Sequence, residues 1–363
     1  MTISATEIQL DPRPSSDVLL EVEDLTVEFP TDDGVVQAVR GVTYQLRPGD
    51  SLGIVGESGS GKSVSSMAVL GLLPKNAQIT GSIRFRGEEL LGKTENQYSS
   101  IRGRKIAMIF QDPLTSLNPV YSVGFQLAEA VLAHNDISKK AAMDRAIELL
   151  STVGIPYPEQ RVHSYPHELS GGMRQRAVIA IAMANDPDVI IADEPTTALD
   201  VTVQAQVLEA LEAARTETGA AMVLITHDLG VIAGHVDRIC VMYAGKLVEK
   251  GMVDDIFYRP RMPYSLGLLG SLPRMDESDR RRLTPIVGSP PSLLNLPPGC
   301  PFTPRCPLAQ DICETTEPAL VPTDSPVHLA ACHFHEQLAG TDADDVFEAT
   351  SADLDIPDLE VYP

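Results

Sequence analysis

The chain has 363 residues, with 28 Lys and Arg against 50 Asp and Glu, and its formal net charge is −22. This acidity argues against electrostatically driven binding to nucleic acid or to anionic lipid headgroups. The length predicts one large domain with an appended module, while the lack of a signal pattern and of an apolar stretch of ~20 residues predicts a cytosolic or peripheral location.

The N-terminal part of the chain is predicted to be rich in β-strands. Residues 1–16 are polar, contain prolines and are predicted to be disordered. In residues 18–30 and 36–46, apolar positions alternate along segments that contain Val, Tyr and Thr, which is typical of strands. A Pro-Gly-Asp turn then leads into the apolar run Ser51–Val55, a further predicted strand.

A glycine-rich loop follows this strand and precedes a segment that is compatible with a helix. It fits the pattern G-x-x-x-x-G-K-[ST], in which backbone N–H groups wrap a phosphate and the helix presents its positive end to the anion. The loop residues predicted to bind a nucleoside triphosphate are Gly56, Ser58, Gly59, Ser60, Gly61, Lys62 and Ser63. Lys62 would reach the β- and γ-phosphates, and the Ser63 hydroxyl would bind Mg²⁺.

The middle of the chain alternates between strand-like and helical segments. Residues 105–110 read as a buried strand that ends at a proline, and residues 123–185 are helix-rich with no convincing strand. Strands return at 189–192 and 221–225, with a helical stretch between them, and a hairpin is predicted at 238–251. This alternation predicts an α/β fold with a parallel sheet that helices cover on both faces.

Composition changes after residue 260. Of the chain's 28 prolines, eleven lie between residues 284 and 326, which predicts a loop-rich extension over residues 260–335 that is held by something other than regular secondary structure. Residues 336–363 contain nine acidic residues and no Lys or Arg, so a disordered acidic tail is predicted there.

Three further motifs have a chemistry of their own. Ser170 can cap a helix that begins with a glycine pair, where a phosphate could approach the free N–H groups. Asp193 and Glu194 close an apolar strand, which suits one carboxylate for Mg²⁺ and one as a general base. His227 follows another strand end. Taken singly, Ser170 and its glycines also fit an ordinary glycine turn. The acidic residues also fit a surface acidic pair, and His227 also fits a structural histidine.

In their order along residues 17–259, these motifs resemble the ATP-binding subunits of ABC transporters, a branch of the P-loop NTPases. Leu-Ser-Gly-Gly-Met-Arg-Gln at 169–175 matches the family's signature motif, Asp193-Glu194 its Walker B pair and Ala-Leu-Asp at 198–200 its D-loop. His227 matches the switch histidine and Gln111 the Q-loop glutamine. The helix-rich residues 113–185 correspond to a helical subdomain inserted in the parallel-sheet core.

The resemblance implies a role for each of these residues. Catalysis is assigned to Lys62, Gln111, Glu194 and His227, with Glu194 as the base, and Mg²⁺ to Ser63, Gln111 and Asp193. In this family two cassettes bind head to tail, so the residues implied to act on or near the partner's nucleotide are Ser170, Gly171, Gly172 and Gln175, with Asp200 in the D-loop. Phe29 is the candidate for stacking on adenine, and a core residue is the alternative.

A finer resemblance comes from Ile-Phe-Gln-Asp-Pro-Leu-Thr-Ser-Leu-Asn-Pro at 109–119 and from Glu168. These are similar to the di- and oligopeptide importer branch, which includes close relatives that import nickel. That branch implies two membrane permease subunits, a second and different cassette, an extracytoplasmic peptide-binding protein and a place at the cytoplasmic face of the membrane. Residues 258–273 resemble the branch's C-terminal extension, although Met262 stands where histidine is usual.

Four of the five cysteines lie close together in the extension. Cys300, Cys306, Cys313 and Cys332 are separated by five, six and eighteen residues and form no C-x-x-C pair. Such thiols could bind a [4Fe–4S] cluster, could bind zinc or could stay free, and nearby histidines could replace a ligand. The resemblance implies the iron–sulfur cluster, and hence a metal-binding extension. Cys240 lies in an apolar run and is predicted to be a core residue.

Alternative functions remain open at this level. Import of another solute such as nickel would use the same motifs, since substrate contacts lie on other polypeptides. A soluble ABC ATPase acting on DNA or ribosomes would carry two cassettes or a long coiled coil, and the charge disfavours nucleic acid. An exporter cassette would not need the cysteine-bearing extension.

Overall fold

A computed structural model describes residues 17–197, 199–272 and 285–351. The predicted disordered N-terminus, residues 1–16, lies outside the described residues, as do Ala198 of the D-loop and residues 352–363 of the tail. In the described part of the chain, no helix is long and apolar enough to cross a membrane.

Strands and helices alternate along most of the chain. The described strands are β1 (Leu20–Thr31), β2 (Gly34–Leu46), β3 (Ser51–Val55), β4 (Gln78–Phe85), β5 (Glu88–Glu89), β6 (Ile106–Ile109), β7 (Val189–Asp193), β8 (Ala221–Thr226), β9 (Arg238–Tyr243), β10 (Lys246–Met252), β11 (Val321–Pro322) and β12 (Leu329–Ala330). The described α-helices are α1 (Lys62–Val69), α2 (Glu95–Ser99), α3 (Pro113–Ser116), α4 (Val123–Leu132), α5 (Lys139–Thr152), α6 (Pro158–Arg161), α7 (Gly171–Met183), α8 (Val201–Thr218), α9 (Leu229–Ile232), α10 (Val253–Tyr258), α11 (Pro263–Gly270), α12 (Asp311–Thr315) and α13 (Ala343–Ser351).

The larger sheet has the strand order β11-β12-β10-β9-β3-β8-β7-β6, and its middle strands are parallel. Strands β3, β7 and β8 are buried at every position, because helices cover both faces, as their unbroken apolar sequences predict. The carboxyl ends of parallel strands meet at one edge of a sheet, where ligands bind in open α/β folds. Val55, Asp193 and Thr226 all end their strands at this edge.

A second, antiparallel sheet with the order β2-β1-β4-β5 forms the N-terminal subdomain. Its strands pair over long stretches, and the register of β1 with β2 runs from Leu20 opposite Leu46 to Thr31 opposite Gly34. Its inward-facing apolar residues join one core cluster with Ala68 and Val69 of α1. This cluster fixes the antiparallel sheet beside the helix that follows the glycine-rich loop.

Between α3 and α7 the chain forms helices and no strand. The serines before α4 and α5 cap these helices: Ser122 Oγ accepts from Phe125 N at 3.3 Å, and Ser138 Oγ accepts from Ala141 N at 3.1 Å. Apolar residues at helical spacing are buried along one face of each helix, for example Leu127 in α4. These faces pack against α7, which leads back to the parallel sheet.

The cysteine-bearing extension has more regular structure than its proline content predicts. Strand β12 pairs with β10, Glu249 lying opposite Ala330, so β11 and β12 extend the larger sheet at its edge. His328 and Glu249 are both buried and form a 2.8 Å contact between the extension and β10. The extension is therefore continuous with the sheet that carries the nucleotide motifs.

Part of the predicted acidic tail has regular structure. Helix α13 lies in this segment, and its Val346 and Phe347 are 5% and 3% exposed. They pack against α11, where a Cβ atom built on Gly267 would lie only 2.9 Å from the Phe347 ring. With Ala343, which is also buried, these side chains lie at helical spacing and pack on α11 despite the acidic residues around them.

Candidate active site

The glycine-rich loop lies between β3 and α1, and its glycines are needed for steric reasons. Gly56 and Gly61 have φ angles of 155° and 101°. A Cβ atom at Gly56 would lie 2.1 Å from Met242 O, and one at Gly61 would lie 2.3 Å from Ala38 O. No larger residue fits at either position without moving backbone. The loop therefore packs closely between β9 and β2 while its exposed residues Ser58 and Gly59 face outward.

Lys62 is the first residue of α1 and is only 4% exposed. Its Nζ donates to Gly56 O at 2.7 Å and to Glu57 O at 3.0 Å, so the lysine is held by the loop that it follows. Burial lowers the pKa of Lys62, and the nearby carboxylates of Glu194 and Asp193 oppose this shift. The amine is positioned beside the loop where a phosphate would bind.

Ser63 and Asp193 bring two oxygen ligands together. Ser63 Oγ donates to Asp193 Oδ1 at 3.0 Å, which links the first turn of α1 to the end of β7. Burial raises the pKa of the Asp193 carboxyl, and the Ser63 hydrogen bond opposes that rise. A hydroxyl and a carboxylate are the ligand types that Mg²⁺ prefers, so this pair fits the predicted metal.

Glu194 contacts four side chains of the site. Its Oε2 accepts from Gln111 Nε2 at 3.1 Å and from Thr197 Oγ1 at 2.9 Å, and His227 Nδ1 lies 3.2 Å from the same oxygen. Its Oε1 lies 3.8 Å from Lys62 Nζ. The residues predicted to be catalytic from separate parts of the chain, Lys62, Gln111, Glu194 and His227, therefore meet around one carboxylate.

The backbone of Glu194 is unusual. Its φ angle of 46° lies in the left-handed region, which a residue with a long side chain seldom adopts. Its N–H donates to Ile225 O at 2.9 Å, so the end of β8 holds this conformation. The chain turns immediately after Asp193, and the carboxylates of Asp193 and Glu194 are thereby directed to different partners. Such strain is concentrated at functional sites.

Phe29 lies on β1 opposite Val36 and is half-buried against the core cluster of the antiparallel sheet. The same subdomain approaches the glycine-rich loop through Ala38 O on β2. A half-buried aromatic side chain keeps part of its surface available for stacking. The partial burial of Phe29 is compatible both with stacking on adenine and with a role in the core.

The signature motif begins helix α7. Ser170 is the N-cap, and its Oγ accepts from Met173 N at 3.3 Å. Ser170 and Gly171 are exposed, whereas a Cβ atom at Gly172 would lie 2.4 Å from Val203 of α8. The exposed N-terminus of α7 is thus available for an anion, and Gly172 allows the close approach of α8.

The Gln175 side chain lies in the interior, unlike Ser170 and Gly171 at the start of the same helix. It is 1% exposed, and neither atom of its side-chain amide has a hydrogen-bond partner. Helix α7 turns this side chain toward the interior, one turn after the exposed Ser170 and Gly171. Its role at a partner's nucleotide stays a prediction, and within this motif the exposed surface is formed by the serine and the first glycine.

Asp200 is exposed and caps helix α8, its Oδ1 accepting from Val203 N at 3.1 Å. It lies in the same region as the N-terminus of α7, since Leu199 is the nearest neighbour of a Cβ atom built on Gly171. Thr197, which donates to Glu194, was missed by the sequence analysis. Its only signal is its position three residues after the acidic pair.

The four clustered cysteines line one small pocket in the extension. Its lining also includes apolar residues and His333, and the complete set is Met262, Pro263, Cys300, Phe302, Thr303, Cys306, Leu308, Cys313, Pro318, Ala331, Cys332, His333 and Phe334. Burial raises the pKa of Cys306 to about 12 and that of Cys332 to about 11, and neighbouring thiols add to each shift. His328, one of the histidines near the cysteines in sequence, contacts Glu249 and does not line the pocket.

The structure does not support the predicted metal-binding extension beyond this clustering. Among the described residues, no three His, Cys, Asp or Glu side chains are arranged as a group that could hold a metal ion. The thiols share a pocket, and the donors are of the right kind, but they are not drawn together to ligand distances. Cys240 is buried in β9, as predicted for a core residue.

A glycine-rich loop at the end of a parallel strand, a buried lysine in the first helical turn and an acidic pair ending a neighbouring strand define a P-loop nucleotide-binding protein. Residues 39–197 match the ABC transporter family, and residues 248–313 match the oligopeptide/dipeptide transporter C-terminal region. The chain belongs to the family of ABC transporter ATP-binding proteins, in its oligopeptide and dipeptide branch.

Over the aligned residues, curated relatives are 50–57% identical to this chain. It is 50% identical to the oligopeptide transport ATP-binding protein OppD of Salmonella typhimurium, over 92% of this chain and 98% of the relative. It is 51% identical to the dipeptide transport ATP-binding protein DppD of Bacillus subtilis, over 88% and 96%. OppD of Mycobacterium tuberculosis is 57% identical over 91% of this chain, but the chain spans only 54% of that relative's length.

Solved structures support the cassette fold. The ATP-binding cassette MJ0796, in a dimeric post-hydrolysis state bound to ADP and Pi, has a TM-score of 0.58 and 26% identity. The alignment covers 65% of this chain and 99% of that chain. CbiO1 of Clostridium perfringens, part of the CbiONQ complex, has the same TM-score over 67% and 92% of the two chains.

Proposed function

We propose that this chain is an ATPase subunit of an ABC importer, which couples ATP binding and hydrolysis to the uptake of di- or oligopeptides through separate membrane subunits. The observation that carries the proposal is the meeting of Lys62, Gln111, His227 and Thr197 around the Glu194 carboxylate. Four residues from different parts of the chain converge on the one group that is placed to act as a base.

Nucleotide binding rests on the loop between β3 and α1. The residues proposed to contact the adenine ring or the phosphates of ATP are Phe29, Gly56, Ser58, Gly59, Ser60, Gly61, Lys62 and Ser63. Backbone N–H groups and the N-terminus of α1 favour the phosphate anion, and Lys62 moves from its contacts with loop carbonyls to the β- and γ-phosphates. Ser63, Gln111 and Asp193 would hold Mg²⁺, which would neutralise charge on the phosphates.

Glu194 accepts the proton of the attacking water, and His227 and Gln111 orient the γ-phosphate and the water. The contacts of Gln111 and His227 with the Glu194 carboxylate support a common point of action for the three residues. Phosphoryl transfer needs positioning and charge stabilisation more than covalent chemistry, so this convergence is the main catalytic contribution. Thr197 keeps the carboxylate oriented through its 2.9 Å hydrogen bond.

Two cassettes would bind head to tail and bury ATP between them. The exposed N-terminus of α7, with Ser170 and Gly171, then faces the γ-phosphate held by the partner's loop, and Asp200 lies beside the same interface. The partner is proposed to be a different chain, as the finer resemblance implies. The dimeric form of the related cassette MJ0796 supports the pairing of two cassettes.

The membrane subunits are proposed to dock on the helical region next to Gln111. Val120, Tyr121 and Phe125 are 70%, 47% and 43% exposed, and the two rings stack with centroids 4.8 Å apart. An exposed apolar cluster of this kind fits a protein interface. Docking there would place the chain at the cytoplasmic face of the membrane as a peripheral subunit, with an extracytoplasmic peptide-binding protein on the opposite side.

The cysteine pocket is the proposed place of a metal centre, with Cys300, Cys306, Cys313 and Cys332 as ligands. Four thiols in one pocket support the proposal, and a [4Fe–4S] cluster is favoured over zinc by the resemblance. Either centre would stabilise the proline-rich loops through its bonds to four separated residues. The proposed metal ligands include none of the residues proposed to bind nucleotide.

The test is reconstitution of the chain with its permeases and second cassette in liposomes, with the binding protein supplied outside. ATP-dependent uptake of labelled di- and oligopeptides is expected, and the variant Glu194→Gln should abolish it. Uptake of Ni²⁺ with no peptide uptake would favour the alternative solute. ATP hydrolysis that is insensitive to permeases and binding protein would favour the soluble ATPase instead.

A further inference from the structure

The cysteine-bearing extension makes a direct ion pair with the glycine-rich loop. Arg305 Nη1 donates to Glu57 Oε2 at 2.6 Å, and Nη2 donates to Glu57 Oε1 at 2.8 Å, so the pair is bidentate. The side chains are 3% and 29% exposed. Because two parallel hydrogen bonds fix both position and orientation, this pair constrains the loop more than a surface ion pair would.

Glu57 is also held through its backbone. Its N–H donates to the hydroxyl of Tyr264 at 2.8 Å, and its carbonyl accepts from Lys62 Nζ at 3.0 Å. Tyr264 is fully buried in α11. The peptide groups on both sides of Glu57 therefore have fixed directions, and one of them is a partner of the lysine that would bind phosphate.

Arg305 is fixed from its other side. Its guanidinium lies 5.9 Å from the ring centroid of Tyr243 and 5.8 Å from that of Phe302, and Nε donates to Val287 O at 3.2 Å. Tyr243, Tyr264 and Phe302 pack together, with ring centroids 4.6 to 5.5 Å apart. This aromatic cluster packs against the guanidinium and restricts the conformations open to the arginine side chain.

The same short segment also forms the wall of the cysteine pocket. Arg305 directly precedes Cys306, and Phe302 lies between Cys300 and Arg305 while lining the pocket. A change in the pocket that moves this segment must therefore move the guanidinium that holds Glu57. The extension and the nucleotide motifs share one rigid set of contacts.

We propose that Arg305 is a positioning residue for the glycine-rich loop, through which the C-terminal extension sets the affinity of this cassette for ATP. The inference rests on the proposed binding of ATP at that loop. The ion pair holds the Glu57 peptide groups where Lys62 and the loop N–H groups suit a triphosphate. Loss of the pair relaxes the loop and weakens binding while Gln111, Glu194 and His227 stay in place.

The experiment compares Arg305→Met, Arg305→Lys, Glu57→Gln and the double variant Arg305→Met/Glu57→Gln with the wild-type chain. Binding of a fluorescent ATP analogue with Mg²⁺ is measured on the isolated chain, and KM and kcat on the reconstituted complex. We expect Arg305→Met and Glu57→Gln each to weaken binding and raise KM about tenfold, with kcat within about twofold. The double variant should be no weaker than either single variant, and Arg305→Lys should restore part of the affinity.

The matched control is Asp324→Asn, which breaks the ion pair of Asp324 with Arg261. That pair lies within the extension, linking the segment before α11 to the turn between β11 and β12, and includes no residue of the glycine-rich loop. It should leave KM unchanged. Wild-type affinity in both single variants, additive losses in the double variant or an equal loss in the control would each overturn the proposal. If the wild-type chain bound no ATP, the proposed function itself would fail, a separate outcome.

Discussion

Ser63 and Asp193 are joined by a 3.0 Å hydrogen bond between the first turn of α1 and the end of β7. The two residues are 130 positions apart in sequence, yet they bring a hydroxyl and a carboxylate to the same point beside Lys62. This pair supplies the oxygen ligands that Mg²⁺ prefers, at the edge of the sheet where the phosphates would bind.

Asp193→Asn should therefore uncouple nucleotide binding from Mg²⁺. In wild type, Mg²⁺ should tighten ATP binding; in the variant, the affinity measured with EDTA should persist and the gain on adding Mg²⁺ should be lost, about tenfold or more. Asp186→Asn, at an exposed position before β7, is the control and should keep the gain. A full Mg²⁺ effect in Asp193→Asn would remove this residue from the metal site.

Ser170→Arg should prevent hydrolysis without weakening ATP binding by the same chain. The substitution places a large cation at the exposed N-terminus of α7, which is proposed to face the nucleotide bound by the partner cassette. Ser138→Arg is a matched control, because Ser138 caps α5 by the same hydrogen bond to the third following residue. Loss of ATP affinity in the isolated Ser170→Arg chain would contradict the head-to-tail arrangement.

His227→Ala should lower kcat by about tenfold or more and leave ATP affinity nearly unchanged, since the imidazole acts on groups near Glu194 during the reaction. The ring is 56% exposed, so its removal should cost little stability. His163→Ala, another exposed histidine, should show wild-type kinetics. An unchanged kcat in His227→Ala would place this histidine outside the mechanism.

Cys306→Ser should remove the metal centre proposed for the cysteine pocket. Anaerobically purified wild-type chain is expected to contain about four iron and four sulfide and to absorb broadly near 400 nm, as a tetrathiolate cluster does. Cys240→Ser, at a buried site in β9 outside the pocket, should keep that content. Stoichiometric zinc without iron would replace the cluster with a zinc site, and metal-free wild-type protein would leave the pocket with free thiols.

Much of the fold could be predicted because its signals are local. The buried apolar strands, the glycine-rich loop and the helix that follows it are each encoded within about twenty residues, and the predicted hairpin at 238–251 forms from β9 and β10. The convergence on Glu194 could be inferred from strand ends, since parallel strands bring their carboxyl ends to one edge.

The remainder depends on contacts between distant segments. Arg305 and Glu57 are 248 residues apart, and the sequence around neither residue predicts their ion pair. The pairing of β12 with β10 involves two residues on each strand, too few for a sequence pattern. The acidic composition around helix α13 did not predict it, because its packing depends on three buried residues, Ala343, Val346 and Phe347. Burial of Gln175 depends on how α7 turns, which the motif does not show.

The most direct test of the account is the hydrolysis rate of Glu194→Gln in the reconstituted complex, measured beside its ATP affinity. The substitution keeps the size of the side chain and removes the base, so turnover should fall by about a hundredfold or more while ATP binds at wild-type affinity and holds the two cassettes together. Wild-type turnover in this variant would contradict the assignment of Glu194 as the catalytic base.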